Sequence, residues 1–152
     1  MENHPSSDQL YVIDVDLGRE SPVRVVSGLA SYYKAEELVG TLVVVVCNLK
    51  ASAFKGVKSH GMILCAKQAT SVRTLCPETT VPVGSLVTLQ GHPYSSAKKF
   101  DILNSKKLKE VMIQSDLKTD SQCLARSNGI SLNVCNSDVT PIKAVFPDAS
   151  VF

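Results

Sequence analysis

The sequence predicts an all-β fold, a β-rich barrel with short helices, and three observations carry that prediction. The 152 residues contain no Trp and only 5% aromatics, so the core rests on Val, Leu and Ile. These aliphatic and β-branched residues fall in short runs, as strands require. Glycine, proline and asparagine punctuate the runs and supply turns. A chain of this length buries roughly 70% of the surface its unfolded form exposes, so its core depends on neither disulfides nor metal.

Each element follows in order. Over Leu10–Leu17, Tyr11, Ile13, Val15 and Leu17 alternate with Asp14 and Asp16, which gives a strand with one buried face that Gly18 ends. Val23–Ser27 reads as a second strand, closed by Gly28. Lys34–Val39 forms one or two helical turns, and Gly40 stops them. Thr41–Cys47 is continuous β-branched hydrophobe, the pattern of a strand buried on both faces. A polar, basic loop from Asn48 to His60 leads into a strand at Met62–Ala66. Val81–Gly84 carries turn chemistry, and Leu86–Leu89 is the next strand. Five short strands with one small helix between them suit a closed or partly closed β-barrel of the OB type.

Gly91 to Asn104 is polar and lysine-bearing, with Pro93 near its start, and it marks the boundary. Residues 1–92 form the barrel and 93–152 a small C-terminal extension. Within the extension, Ser105 caps a helix to about Gln114, with Leu108, Val111 and Met112 on one stripe. Cys123–Ser127 and Ile130–Cys135 flank Asn128-Gly129, the strongest local hairpin signal in the chain, of type I′. About fifty residues make too small a core alone, so the extension packs against the barrel.

The net charge of +2 is too weak to argue for nucleic acid, but its distribution is uneven. Residues 1–37 hold seven acids against three basic residues. From Leu38 to Pro77 there are five basic residues, Lys50, Lys55, Lys58, Lys67 and Arg73, and no acid. A second cluster follows at Lys98, Lys99, Lys106, Lys107 and Lys109. Such asymmetry builds a local positive surface on a nearly neutral molecule. The five cysteines are odd in number and lack a C-x-x-C pair, which reads as reduced core thiols in a cytoplasmic protein. The N-terminus is polar and carries no signal peptide, and the longest apolar run, Leu42–Cys47, is far too short for a bilayer.

No catalytic motif for metal, nucleophile or phosphate chemistry occurs. His4, His60 and His92 are scattered and read as solvated loop residues. Asp14 and Asp16 share one strand face, where an exposed face is the better reading than a metal site. Nothing supports an enzyme, and no cofactor or metal is implied.

The connector from Asn48 to Met62 is different, because Lys50, Lys55 and Lys58 stand beside Asn48, Ser52, Ser59 and Phe54 between two apolar runs. Lysines attract phosphates, hydroxyls and amides bond ribose or phosphate, and Phe54 stacks on a base or wedges against a sugar. The opposing reading is a solvated loop whose lysines keep the protein soluble while Phe54 and Met62 plug the barrel end. The residues alone weigh these equally, except that Met62 favours the plug. Gly56 and Gly61 read as turn positions.

The run His4-Pro5-Ser6-Ser7-Asp8-Gln9-Leu10-Tyr11-Val12 resembles the H-P-x-A-D-x-L-Y-V signature of tRNA-binding domains of the endothelial-monocyte-activating polypeptide II type. Val25-Val26-Ser27-Gly28-Leu29, Cys47-Asn48-Leu49-Lys50 and Lys55-Gly56-Val57-Lys58-Ser59-His60-Gly61-Met62 are similar to further blocks of that family in the same order. Leu103-Asn104, Lys106-Lys107, Ile113-Gln114, Asp116-Leu117 and Cys123 extend the likeness through the C-terminal part. The resemblance implies an OB-fold module followed by an extension that mimics a dimer interface, hence a monomer. It also implies tRNA and an aminoacyl-tRNA synthetase, in cis or in trans, as partners, with no membrane. Site residues under this reading are Asn48, Lys50, Phe54, Lys55, Lys58 and Ser59, with Lys106, Lys107 and Lys109 extending the positive track. A protein-interaction scaffold or a cytokine-like signalling domain is the competing expectation.

Three departures qualify the likeness. A family strand resembling R-I-G-x-I has no counterpart ahead of His4, so the first strand is expected to be truncated. Where relatives read N-L-K-P-x-K-M-R-G, this chain has Ala51, Ala53, Phe54 and Lys55, which removes one basic position and replaces a bidentate Arg by Lys. The lysine-rich linker is kept in part.

Overall fold

The computed structural model describes residues 2–89, 102–134 and 140–152. The elements run β1 (Glu2–His4), β2 (Ser7–Val15), β3 (Val23–Ser27), a 3-10 turn at Gly28–Ser31, α1 (Ala35–Leu38), β4 (Val45–Val46), β5 (Ser52–Phe54) and β6 (Val57–Ser59). There follow β7 (Met62–Ile63), β8 (Cys65–Gln68), β9 (Ser71–Thr74), β10 (Cys76–Pro77) and β11 (Val87–Leu89). The extension contributes α2 (Ser105–Ser115), β12 (Leu117–Thr119), β13 (Ala125–Ser127), β14 (Ile130–Val134), β15 (Thr140–Lys143) and β16 (Ser150–Val151). The chain is all-β with short helices, as the sequence predicts, and its strands form a nearly closed, barrel-like arrangement.

Strands β1, β2 and β3 form one antiparallel sheet. Tyr11 and Val15 of β2 are buried and Asp14 and Asp16 exposed as the alternation predicts, but Ile13 and Leu17 are only partly buried and Val12 on the other face is buried too. Asp14 pairs with Arg24 across the strands at 3.5 Å, and Asp16 accepts the Gly18 N–H at 2.8 Å, so both carboxylates serve local structure. The longer sheet joins barrel to extension, because β16 pairs with β8 on one side and β12 on the other. The C-terminal strands are thus hydrogen-bonded into one sheet with β8 and β9.

The strand buried on both faces is not where continuous hydrophobicity placed it. Within Thr41–Cys47 only Val45–Val46 pairs, with β7, and Thr41 and Cys47 are exposed. Instead Ile63, Leu64, Cys65 and Ala66 are all buried and divide by strand alternation. Ile63 and Cys65 enter a core with Tyr11, Val25 and Val72, while Leu64 and Ala66 enter a second core with Leu75, Leu132 and Ile142. This one segment therefore knits the two cores together.

Several other expectations are corrected. The helix predicted from Ser105 takes Asn104 as its cap, whose Oδ1 accepts the Lys107 N–H at 2.9 Å. On its stripe Leu108 and Met112 are half-buried and Val111 is exposed. The Asn128-Gly129 hairpin is as predicted, with φ of 50° and 80° in the turn, and its second strand is described to Val134. Of the cysteines assigned to the core, Cys65 is buried, Cys76 and Cys123 are partly buried, and Cys47 is exposed. Burial pushes the Cys65 thiol up to about 12, so it stays protonated. His92, Pro93, Lys98, Lys99, Cys135 and most of the 91–104 boundary lie outside the described residues.

Asp120 organises the turn between β12 and β13. Its carboxylate accepts from Arg126 Nε at 2.8 Å and from the backbone N–H groups of Gln122 and Leu124 at 2.9 and 3.0 Å. The Arg126 hydrogen bond, helped by the two backbone donors, holds its carboxyl below the usual range. A depressed folded-state pKa gives stability that is fully present above the unfolded value, about 3.9, and is lost as pH falls through the folded one. Asp120→Asn is expected to cost about 1 kcal/mol at neutral pH, a modest figure for bonds made near the surface. The difference in melting temperature from the parent should shrink as the buffer is taken below about pH 4. An equal difference at both pH values would refute this account.

Candidate nucleic-acid interface

The connector expected as a loop folds into a second two-residue hairpin. Phe54 faces Val57 across the turn, with Lys55 at φ 50° and Gly56 at φ 90°. Positive φ at both central positions is type I′ geometry, which matches the twist of the flanking strands. Its consequence for charge is direct: the turn thrusts Lys55 to the apex, and Lys58 follows exposed on β6. Sequence reading missed the hairpin because Lys is a rare occupant of a position that favours Asn, Asp or Gly. Gly56 is a turn residue as predicted, whereas Gly61 is buried. A Cβ there would meet Val46 O, Val25 Cγ2 and Val45 Cγ1 at 3.1–3.2 Å.

Two ties hold the hairpin down. Ser59 is 4% exposed; its hydroxyl accepts from Val26 N–H at 3.0 Å and donates to Gly61 O at 3.0 Å. That corrects its assignment as a ligand contact, since a buried hydroxyl with both roles filled fixes β6 against β3 instead. His4, expected in solvent, is also 4% exposed. Its Nδ1 accepts the Ser6 N–H at 3.0 Å and its Nε2–H donates to Phe54 O at 2.7 Å. The first strand is thereby anchored to the hairpin arm that carries Phe54. The signal for this role lay in the His-Pro block of the resemblance.

The extension reaches the same place. Leu103 pairs in parallel with Leu49, through Lys50 N–H to Leu103 O and Leu103 N–H to Asn48 O, each 2.8 Å. Asn104 then caps α2, so the helix N-terminus starts next to the Lys50 segment. Lys106 and Lys107 stand exposed in its first turn, which holds no acid, and Lys109 is exposed beyond them. Cations at the positive end of a helix oppose its dipole by a few tenths of a kcal/mol. Six exposed lysines, Lys50, Lys55, Lys58, Lys106, Lys107 and Lys109, therefore lie on two stretches of sequence that the Leu49–Leu103 pairing brings together. Among the described residues none of them forms an ion pair. Asn48 is half-buried, and its carbonyl serves the tie to Leu103.

Phe54 is 44% exposed beside this cluster. A larger apolar cleft, about 860 Å³ and walled mainly by residues 38–48 and 81–87 with Leu132 and Val134 of β14, adjoins the site through Asn48, Leu103 and Leu108 and offers phosphates little. Among the described residues no three His, Cys, Asp or Glu side chains converge to hold a metal ion. No helix among them is long and apolar enough to cross a membrane.

Comparison with known proteins fits this surface. The family described as "Putative tRNA binding domain" matches residues 1–86. The chain belongs to this tRNA-binding domain family. It is 36% identical over 133 residues to the aminoacyl tRNA synthase complex-interacting multifunctional protein 1 of Mus musculus, covering 88% of this chain and 42% of that protein. It is 38% identical over 129 residues to the cytoplasmic tyrosine–tRNA ligase of Danio rerio, covering 83% and 24%. The chain thus spans less than half of either relative. The solved C-terminal domain of Plasmodium vivax p43 superposes with a TM-score of 0.87 at 25% identity, covering 99% of this chain and 90% of that one. In this family the domain is a non-catalytic module, found both in synthetases and in a protein of their complexes.

Proposed function

We propose that this chain holds tRNA by shape and backbone phosphates and so assists an aminoacyl-tRNA synthetase, in cis or in trans. The observation that carries the reading is the convergence of six exposed lysines, unpaired among the described residues, on a hairpin and a helix N-terminus that the Leu49–Leu103 pairing brings together. Lys50, Lys55, Lys58, Lys106, Lys107 and Lys109 contact phosphates along one track, and the Asn48 side chain bonds ribose or phosphate at its edge. Phosphate contacts position a partner without reading its sequence, which suits a carrier of many tRNAs. The similarity to a cytoplasmic ligase supports the cytoplasm as the place of action. The family match over 1–86 supports a barrel domain at 1–92 with the extension at 93–152. An extension whose strands pair with the barrel of the same chain supports a monomer.

Electrophoretic mobility shift with bulk tRNA at two salt concentrations tests the reading. Retention at low salt that weakens steeply at the higher salt is expected. A chain that retains no tRNA even at low salt would instead be a scaffold for proteins.

A further inference from the structure

A small slot beside Lys50 and Phe54 offers a second mode of contact. A pocket of about 140 Å³ opens between the hairpin and the extension. Ser52 and Phe54 of the hairpin line it together with Leu49, Lys50 and Met62 on one stretch and Leu103 and Leu108 on the other. It is well below the roughly 300–1,000 Å³ of pockets that enclose drug-sized ligands, and suits a single planar ring system. Its lining is mostly apolar, yet Lys50, Ser52 and Ser59 take part in it, so an uncharged apolar guest alone would not explain the setting. Phe54 is half-exposed although its main chain is held by His4, so its ring is presented on a fixed arm.

We infer that this slot receives one unstacked nucleobase of the bound RNA, stacked on Phe54 and enclosed from the other side by Leu103 and Leu108. The inference rests on the tRNA-binding reading and adds to it a base contact and a direct part for the extension. Base-aromatic stacking tolerates any base, because every base has a π face. The slot would therefore tighten binding to an exposed, unpaired nucleotide without choosing among sequences. The Leu49–Leu103 pairing that joins the two lysine groups also sets the width of the slot, so the two functions share one structural cause.

The test separates the slot from the track. Bulk tRNA is titrated against the parent chain, Phe54→Ala, Phe54→Tyr and Leu108→Ala across a salt series, with circular dichroism melting of each variant. Phe54→Ala should weaken binding about tenfold, within the range for loss of one base stack, and leave the slope of log K against log salt unchanged. Phe54→Tyr should keep parental affinity, and Leu108→Ala should lose several-fold at the same slope. In parallel, an oligouridine with one 2-aminopurine should be quenched by the parent and not by Phe54→Ala. Parental affinity in Phe54→Ala, or equal quenching by both, would overturn the slot while leaving phosphate binding intact. If the parent itself retains no tRNA, the underlying reading falls, and the slot with it.

Discussion

Lys50→Ala combined with Lys55→Ala is expected to weaken tRNA binding about 30-fold near physiological salt. The estimate follows from counterion release: each phosphate contact contributes about 0.9 to the slope of log K against log salt, and two such contacts extrapolate from 1 M to about 0.15 M salt as roughly 30-fold. The same double variant should flatten the slope by about two, and it should do so equally for different tRNAs, because phosphates carry no sequence. Both side chains are exposed and free of ion pairs among the described residues, so the fold should be spared. Unaltered affinity and slope in an anisotropy titration would show that the RNA lies elsewhere on the molecule.

How far the sequence revealed this site depends on what each residue answers to. The lysines were legible because charge clustering is a property of the chain itself, and Phe54 because a large apolar residue among lysines is anomalous. The fold class was legible from β-branched runs, and β3 and the Asn128-Gly129 turn from local rules alone. Burial on both faces was misread at Thr41–Cys47, since composition cannot say which apolar run has neighbours on two sides. The segment Ile63–Ala66 has them because β16 arrives from distant sequence to flank β8 opposite its hairpin partner β9. Ser59 and His4 were misread for the same reason: polar side chains look solvated until the fold supplies partners 33 and 50 residues away. The slot was invisible because its walls, Phe54 and Leu108, meet only through the parallel pairing of Leu49 with Leu103.

His4 offers the sharper test of how the hairpin is held. His4→Ala removes a buried ring and leaves Phe54 O without its 2.7 Å donor and the Ser6 N–H without its acceptor. A cavity plus the loss of two hydrogen bonds is expected to cost about 3 kcal/mol, or a fall in melting temperature of roughly 6–12 °C for a chain of this size. A typical stability of about 5–15 kcal/mol still leaves the variant folded. Its RNA signature should differ from that of the lysine variants. No phosphate-binding charge is lost, so the salt slope stays parental while affinity drops several-fold, because Lys55 and Phe54 ride on an arm that now samples other positions. His4→Gln retains an N–H that can donate to Phe54 O and should recover part of both the stability and the affinity. A His4→Ala chain that melts with the parent would show that the imidazole is no anchor. One that melts early but binds tRNA at full strength would show instead that the hairpin holds its binding geometry without this tie.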